Sequence, residues 1–260
     1  AGKLPALVRL EDLRGDLHCH TKASDGRHAL REMVEAARQG GLAYLAITEH
    51  SQRLAMARGL DARRLEEQIA EIEQLNRELA TANGRRTGKR AFRVLTGVEV
   101  DILDDGALDL PESILARLDV VIAAVHSRFD LPRAKQTARL LRALDHPHVR
   151  ILAHPSGRLL NEREAYDVDI QRIVRKARDA NVALELNAHP QRLDLTDVHC
   201  RMAKDEGALV AINSDAHSTF ELANLAYGVG QARRGWLEAA NVINTRPIAQ
   251  IEHWLARAGR

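Results

Sequence analysis

The chain has 260 residues, 45% of them hydrophobic, which is enough for one sizeable core at a length typical of a single α/β barrel. A formal net charge of +2 does not by itself call for a nucleic-acid partner, and 3% aromatic residues weaken any scheme that grips strands by stacking bases on rings. Twelve histidines are the compositional oddity.

From the N-terminus, short apolar runs alternate with helical patterns. LRGDLHCH (13–20) reads as a strand, ALREMVEAARQGG (29–41) as a helix and LAYLAITEH (42–50) as a second strand. DARRLEEQIAEIEQLNRELATANG (61–84) is the clearest helix. Asp61 can cap it, Leu65, Ile69, Ile72, Leu75 and Leu79 give it an apolar face, and Asn83-Gly84 can end it. The basic stretch GRRTGKR (84–90) reads as a solvated loop. FRVLTGVEVDI (92–102) and LDVVIAAVHS (118–127) are strands, PRAKQTARLLRALD (132–145) a helix, VRILAHP (149–155) a strand and DVDIQRIVRKARDANV (167–182) a helix. VALELNAHP (182–190), DVHCRMAKDEG (197–207), ALVAINSDAHS (208–218) and TFELANLAYGVGQARRG (219–235) continue as strand, helix, strand, helix. Seven such units predict a mostly parallel sheet covered by helices, in a barrel rather than an open sheet. No linker divides the chain, so residues 1–260 read as one domain. No signal peptide and no apolar run of about 18 residues appears, which predicts a soluble, cytoplasmic protein with no membrane partner.

The strand ends carry the chemistry. His18 and His20 close the first strand, with Asp25 just beyond; His50 closes the second. Glu99 lies in the third, His126 ends the fourth, His154 the fifth, and Asp215 and His217 the seventh. In a parallel barrel these ends share one rim. One histidine there is more often structural than functional. Nine His, Asp and Glu side chains together would leave unpaired buried charge unless cations joined them. Imidazole and carboxylate suit Zn²⁺, Mn²⁺ and Fe²⁺, and nine ligands are too many for one ion, so two or three divalent ions are expected. With no cysteine ligand, a structural zinc is disfavoured. Clustered divalent ions are a usual device for phosphate-ester hydrolysis, where a metal-activated hydroxide makes a side-chain general base unnecessary. No Gly-rich phosphate loop or dinucleotide fingerprint competes with this reading. Glu99, with two oxygens, is the best bridge.

DLHCHTKASDG, ITEHS, GVEVDI, VHS, AHPSGR and SDAHS stand in the order used by the polymerase and histidinol phosphatase (PHP) superfamily, and the chain resembles that family over nearly its whole length. DILDDGALDLPESILARLDVVIAAVHSRFD, ILAHPSGRLLNEREAYDVD and LELNAHPQRLDLTD look like the C-terminal PHP domain of bacterial family X DNA polymerases. LPALVRLEDLRGD is similar to the linker entering that domain, which makes residues 1–12 a linker remnant and an N-terminal polymerase domain, absent from this chain, an implied partner. The resemblance implies a distorted seven-stranded (β/α)7 TIM-like barrel with three metals. One would take His18, His20, Glu99 and Asp215; a second Glu99, His126 and His154; a third Asp25, His50 and His217. Many members have histidine where Asp25 stands, while the polymerase-linked branch commonly has Asp, and a carboxylate makes that site more tolerant of Mn²⁺. The implied activity is a Mn²⁺-dependent 3′–5′ exonuclease acting on DNA 3′ ends in repair, with abasic-site or 3′-phosphate processing in some members.

Within this scheme Glu99, His126, Asp215 and Arg158 are the expected catalytic residues. Arg158, Arg192, Lys22, Arg53, Arg128 and His189 are expected at substrate, the arginines as forks for phosphate. His28, His146, His148, His199 and His253 read as turn, capping, surface or packing groups. Cys19 should face away from the histidine pair, and Cys200 should pack; without a CxxC the two fit a reducing compartment. Two other readings stand beside the nuclease: a small-molecule phosphomonoesterase of the histidinol-phosphatase type, and a non-catalytic polymerase module, which the nine intact positions disfavour.

Overall fold

The computed structural model describes residues 5–84 and 92–256. Strands and helices alternate: β1 (Gly15–Asp16), α1 (Leu30–Gln39), β2 (Tyr44–His50), α2 (Ala62–Gly84), β3 (Arg93–Asp101), α3 (Glu112–Leu115), β4 (Val120–Ala124), α4 (Arg133–Leu144), β5 (Val149–Leu152), α5 (Ile170–Asp179), β6 (Ala183–Asn187), α6 (Asp197–Glu206), β7 (Val210–Asn213), α7 (Leu225–Arg234) and α8 (Ile248–Ala256). All seven strands are parallel and ordered β1 to β7. A parallel bridge between Cys19 and Ala216 joins the extensions of β1 and β7 and nearly closes the barrel. This is the distorted seven-stranded barrel expected. Among the described residues, no helix is long and apolar enough to cross a membrane. Most of the basic stretch at 84–90 lies outside the described residues.

The strands are buried on both faces, as covered parallel sheets are. Outside, Val98, Val100, Val121, Leu184 and Ile212 pack beneath the helices. Inside, Ala46, Leu95, Ile122, Ile151, Ala183 and Ala211 form an apolar plug closed from below by Ile251 and Trp254 of α8. Above that plug the interior turns polar. Gly97 sits at the change of level: a Cβ there would lie 2.7 Å from Thr48 Cγ2 and 2.8 Å from Val120 O.

Two local expectations need correction. The first strand does not run from 13 to 20; its paired part is Gly15–Asp16, and the chain bends at Leu17. Leu17 joins the inner apolar cluster while Cys19 joins an outer one with Met33 and Ile47, so alternation is broken between them. The described residues before β1 pack on the barrel: Val8 is fully buried and its N–H donates to Leu237 O at 2.9 Å. His28 caps no helix; its Nδ1 accepts from Thr219 N, 3.3 Å away. Asp61 does cap α2, accepting from Arg64 N at 2.8 Å.

Candidate metal centre

The nine side chains expected at the rim do converge there. His50 ends β2, Glu99 lies two residues before the end of β3, and His126 and His154 each follow their strands by two residues. The β1 and β7 extensions are knit together, with Asp215 N donating to His18 O (3.1 Å) and His20 N to Ala216 O (2.8 Å). That pairing turns His18, His20 and Asp215 toward the same space. His154 and Asp215 both have positive φ, at 27° and 53°, backbone that non-glycine residues seldom adopt and that aims both side chains inward.

Glu99 is the hub. Its Oε1 faces His154 Nε2 at 2.9 Å and His126 Nε2 at 3.2 Å. Its Oε2 faces His50 Nδ1 at 2.8 Å, His18 Nε2 at 3.4 Å and His20 Nε2 at 3.7 Å. Asp215 Oδ1 lies 3.2 Å from His20 Nε2 and 3.5 Å from His18 Nε2. Asp25, at the solvent edge, places Oδ2 3.5 Å from His50 Nε2 and Oδ1 3.3 Å from His217 Nε2. The rings of His50 and His217 each stack against His20, at 4.3 and 4.2 Å, and lie 6.0 Å from one another. Three groups of potential ligand atoms result: His20, Asp25, His50 and His217; His18, His20 and Asp215; and His50, Glu99 and His126.

The donor set fits divalent cations. Glu99 Oε2 and His50 Nδ1 are both buried, lie 2.8 Å apart, and still lack a hydrogen-bond partner because they are not aligned for one. The Nε2 atoms of His18 and His20 are 3.2 Å apart with Asp215 Oδ1 beside them. Lone pairs crowded toward shared points are what a cation satisfies.

The electrostatics follow from burial and neighbours. Burial pushes the Glu99 carboxyl up, but His126, His50 and His18 outweigh it and hold it well below the usual range. Asp215 behaves alike, with His18 and His20 opposing its burial. His50 rises to about 10 because Glu99 and Asp25 overcome its burial, and His217 to about 9 beside Asp25 and Asp215. Burial, with His217 and His50 close by, drives His20 down to about 3, and burial and Arg192 lower His154.

The carboxylates behind these histidines are absent from the sequence reading. Glu185 Oε1 accepts from His18 Nδ1 (2.7 Å), its Oε2 accepts from His154 N (2.8 Å), and Asn213 and Asn187 donate to it. Asp101 pairs with His126 Nδ1, and His217 Nδ1 faces Asp215 O at 2.9 Å. An acceptor on Nδ1 leaves Nε2 as the free lone pair, which is how outer partners orient imidazole ligands. Arg139 of α4 donates to Ile102 O, Leu103 O and Ser127 O, fixing the loops that carry Asp101 and His126. Glu49 faces the other way, accepting from Thr21, Ser24 and Gln68 and so holding the loop that leads to Asp25. The signal for Glu185 was its place: LELN puts Glu185 and Asn187 two apart on the inner face of an otherwise apolar strand. Glu185→Gln should lower kcat for a small phosphoester about 10–100-fold, with unchanged circular dichroism; steady-state kinetics on the folded variant check this.

The expected substrate residues fare unevenly. Arg192 is at the centre: its Nε lies 3.6 Å from Asp215 Oδ2, and its Nη1 is buried without a partner. Arg158 is a brace instead, with Nε donating to Arg192 O (2.9 Å) and Nη2 to Leu193 O, so these donors are committed to the loop. Arg128 pairs with Asp104 (3.0 Å) and Asp130 (3.6 Å), and Arg53 approaches Asp101 at 3.9 Å. Lys22 is exposed on the rim. His189 closes its own turn, donating its N–H to Asn187 Oδ1 (3.0 Å) and accepting from Gln191 N at 3.3 Å. His146 Nδ1 accepts from His148 N (3.4 Å), His199 is half-buried in α6 and His253 is exposed on α8. Cys19 and Cys200 are buried free thiols, and Cys19 Sγ points to Ala46 O, 3.2 Å away.

The PHP domain family matches residues 16–189, two thirds of the chain and all the strands that carry Glu99, His126 and His154. The chain belongs to the PHP-domain family. It is 45% identical over 251 residues to the DNA polymerase/3′-5′ exonuclease PolX of Bacillus subtilis, covering 96% of this chain and 42% of that protein. A probable phosphatase of Thermoanaerobacter sp. strain X514 is 27% identical over 262 residues, covering 94% of this chain and 95% of that one. Among solved structures, the histidinol phosphate phosphatase of Lactococcus lactis, complexed with zinc, L-histidinol and phosphate, superposes with a TM-score of 0.56 at 20% identity, over 84% of this chain and 93% of that one. That likeness is one of PHP-domain fold.

Proposed function

We propose that this PHP domain is a divalent-metal-dependent phosphodiesterase that shortens DNA from its 3′ end. The observation that carries the phosphoesterase reading is Glu99, whose two oxygens divide the rim histidines into two sets. His18, His20, Glu99 and Asp215 would hold one ion, Glu99, His126 and His154 a second, and Asp25, His50 and His217 a third, with Mn²⁺ or Zn²⁺ suited to this donor set and Fe²⁺ to its histidines. Bound there, such ions supply charge neutralisation at the phosphoryl oxygens and acidify water. The protein supplies the rest. Glu185 and Asp101 set the histidine orientations, and Arg192 offers a guanidinium fork beside Asp215 where phosphoryl oxygens would lie. Asp25 and His217 stand at the open edge, where a chain end could enter. Lys22, Arg53 and Arg128 add positive charge to the rim.

The choice of a DNA 3′ end rests on the 45% identity to PolX, against 27% for the probable phosphatase. The phosphatase relative is matched end to end, so a phosphomonoesterase of this size is the alternative the experiment must separate. Metal-stripped protein is given Mn²⁺, Zn²⁺ or Mg²⁺ with a 5′-labelled single-stranded oligonucleotide at low salt, and a phosphomonoester in parallel. A ladder shortening from the 3′ end with Mn²⁺, lost in His126→Ala, is expected. An intact oligonucleotide with rapid phosphomonoester hydrolysis would overturn the nuclease in favour of the phosphatase.

A further inference from the structure

Arg163 lies in the rim loop after β5, which also carries His154. Its guanidinium carbon sits 3.7 Å from the centroid of the Phe129 ring, and its Nε donates to Gly157 O at 2.9 Å. Phe129 stacks in turn on buried Tyr166, with centroids 6.4 Å apart, and Tyr166 donates its hydroxyl to Pro155 O at 2.7 Å. The face of the guanidinium is therefore occupied and its Nε committed, while the in-plane Nη groups remain available. Among the described residues no carboxylate pairs with Arg163, whereas Arg128 and Arg53 on the same rim both have acidic partners.

This loop is zipped to the one that follows β6. Leu160 N donates to Gln191 O at 2.6 Å and Arg158 Nε donates to Arg192 O, while a bridge between Leu159 and Arg163 folds the first loop on itself. Arg192 on the second loop reaches Asp215 and keeps Nη1 buried and unpartnered. The two ties bring the Arg163 loop and the Arg192 loop side by side, so two guanidiniums stand on one corner of the rim. Among the described residues, the Nη groups of Arg163 and the buried Nη1 of Arg192 are therefore the donors in this corner that no protein acceptor takes up.

We propose that Arg163 and Arg192 form a two-arginine subsite for consecutive phosphates of one polynucleotide strand. Arg192 sits at the phosphate being hydrolysed, and Arg163, which touches none of the nine rim ligands, takes the neighbouring one. This rests on the nuclease reading above and deepens it, because a phosphomonoester has no second phosphate and leaves Arg163 idle. Arg163 thereby favours polynucleotides over small phosphoesters.

The test compares wild type, Arg163→Gln and Arg163→Lys on a single-stranded oligonucleotide and on bis(p-nitrophenyl) phosphate with Mn²⁺, across a salt series. Arg163→Gln is expected to raise the oligonucleotide KM about tenfold. It should also flatten the slope of log(kcat/KM) against log[salt] by about 0.7, the value for one lost single-strand phosphate contact. The ratio of oligonucleotide to small-diester kcat/KM falls in step. Arg163→Lys keeps the charge and the slope. An unchanged KM and slope in Arg163→Gln, or an equal loss on both substrates, would overturn the inference while leaving the nuclease standing. Wild-type protein that cuts the small diester but no oligonucleotide would overturn the nuclease and the inference together.

Discussion

Glu99→Gln is expected to lower hydrolysis of a small phosphodiester by about 10³-fold, with the far-UV circular dichroism spectrum unchanged. The substitution keeps size and removes charge, so the effect is electrostatic. Glu99 Oε1 faces His126 and His154 while Oε2 faces His50, His18 and His20. In glutamine one of those positions becomes an NH₂ group, which repels a cation. The two histidine sets then no longer share a bridge. Charge stabilisation by a metal is worth several kcal/mol, and about 4 kcal/mol corresponds to three decades in rate. A loss below about tenfold would show that Glu99 does not bridge.

Stripping divalent metal should lower the melting temperature by roughly 10 °C, and adding Mn²⁺ back should restore it. A ligand at 1,000 times its Kd stabilises the folded chain by about 4 kcal/mol, and each kcal/mol shifts the midpoint of a protein of this size by about 2–4 °C. The structural reason lies in the rim. Glu99 and Asp215 are buried carboxylates surrounded by six histidines, and Glu99 Oε2 and His50 Nδ1 lack hydrogen-bond partners. Without a cation the buried lone pairs of Glu99 Oε2 and His50 Nδ1 have no hydrogen-bond partner. Differential scanning calorimetry of chelated and reconstituted protein checks it. Equal midpoints would mean that the cluster holds together without metal.

The strand ends were legible because the chemistry of a parallel barrel gathers there. His50, His126 and His154 could be placed from position alone, since each closes an apolar run. The β1 region was less legible. A strand with two paired residues and a bend at Leu17 carries no periodicity to read, yet His18 and His20 still face inward because β7 holds their backbone. Glu185 was missed because it lies inside a strand, where an ionised group looks like an exposed position until its asparagine partners are seen. Arg158 shows what position alone leaves out: its place after HPSG suggests a phosphate fork, and the folded loop adds carbonyl acceptors for its Nε and Nη2. Arg163 was invisible in sequence, since its meaning comes from Phe129 beneath it.

On the proposed function the rim would hold more than one divalent ion, with Glu99 shared between their ligand sets. Elemental analysis of reconstituted, gel-filtered wild type and Glu99→Gln tests it most directly. About two to three equivalents of Mn²⁺ or Zn²⁺ per wild-type chain are expected, with at least one lost in Glu99→Gln alongside the activity. A wild-type chain that retains less than about one equivalent, or a Glu99→Gln chain that retains the full load, would contradict it.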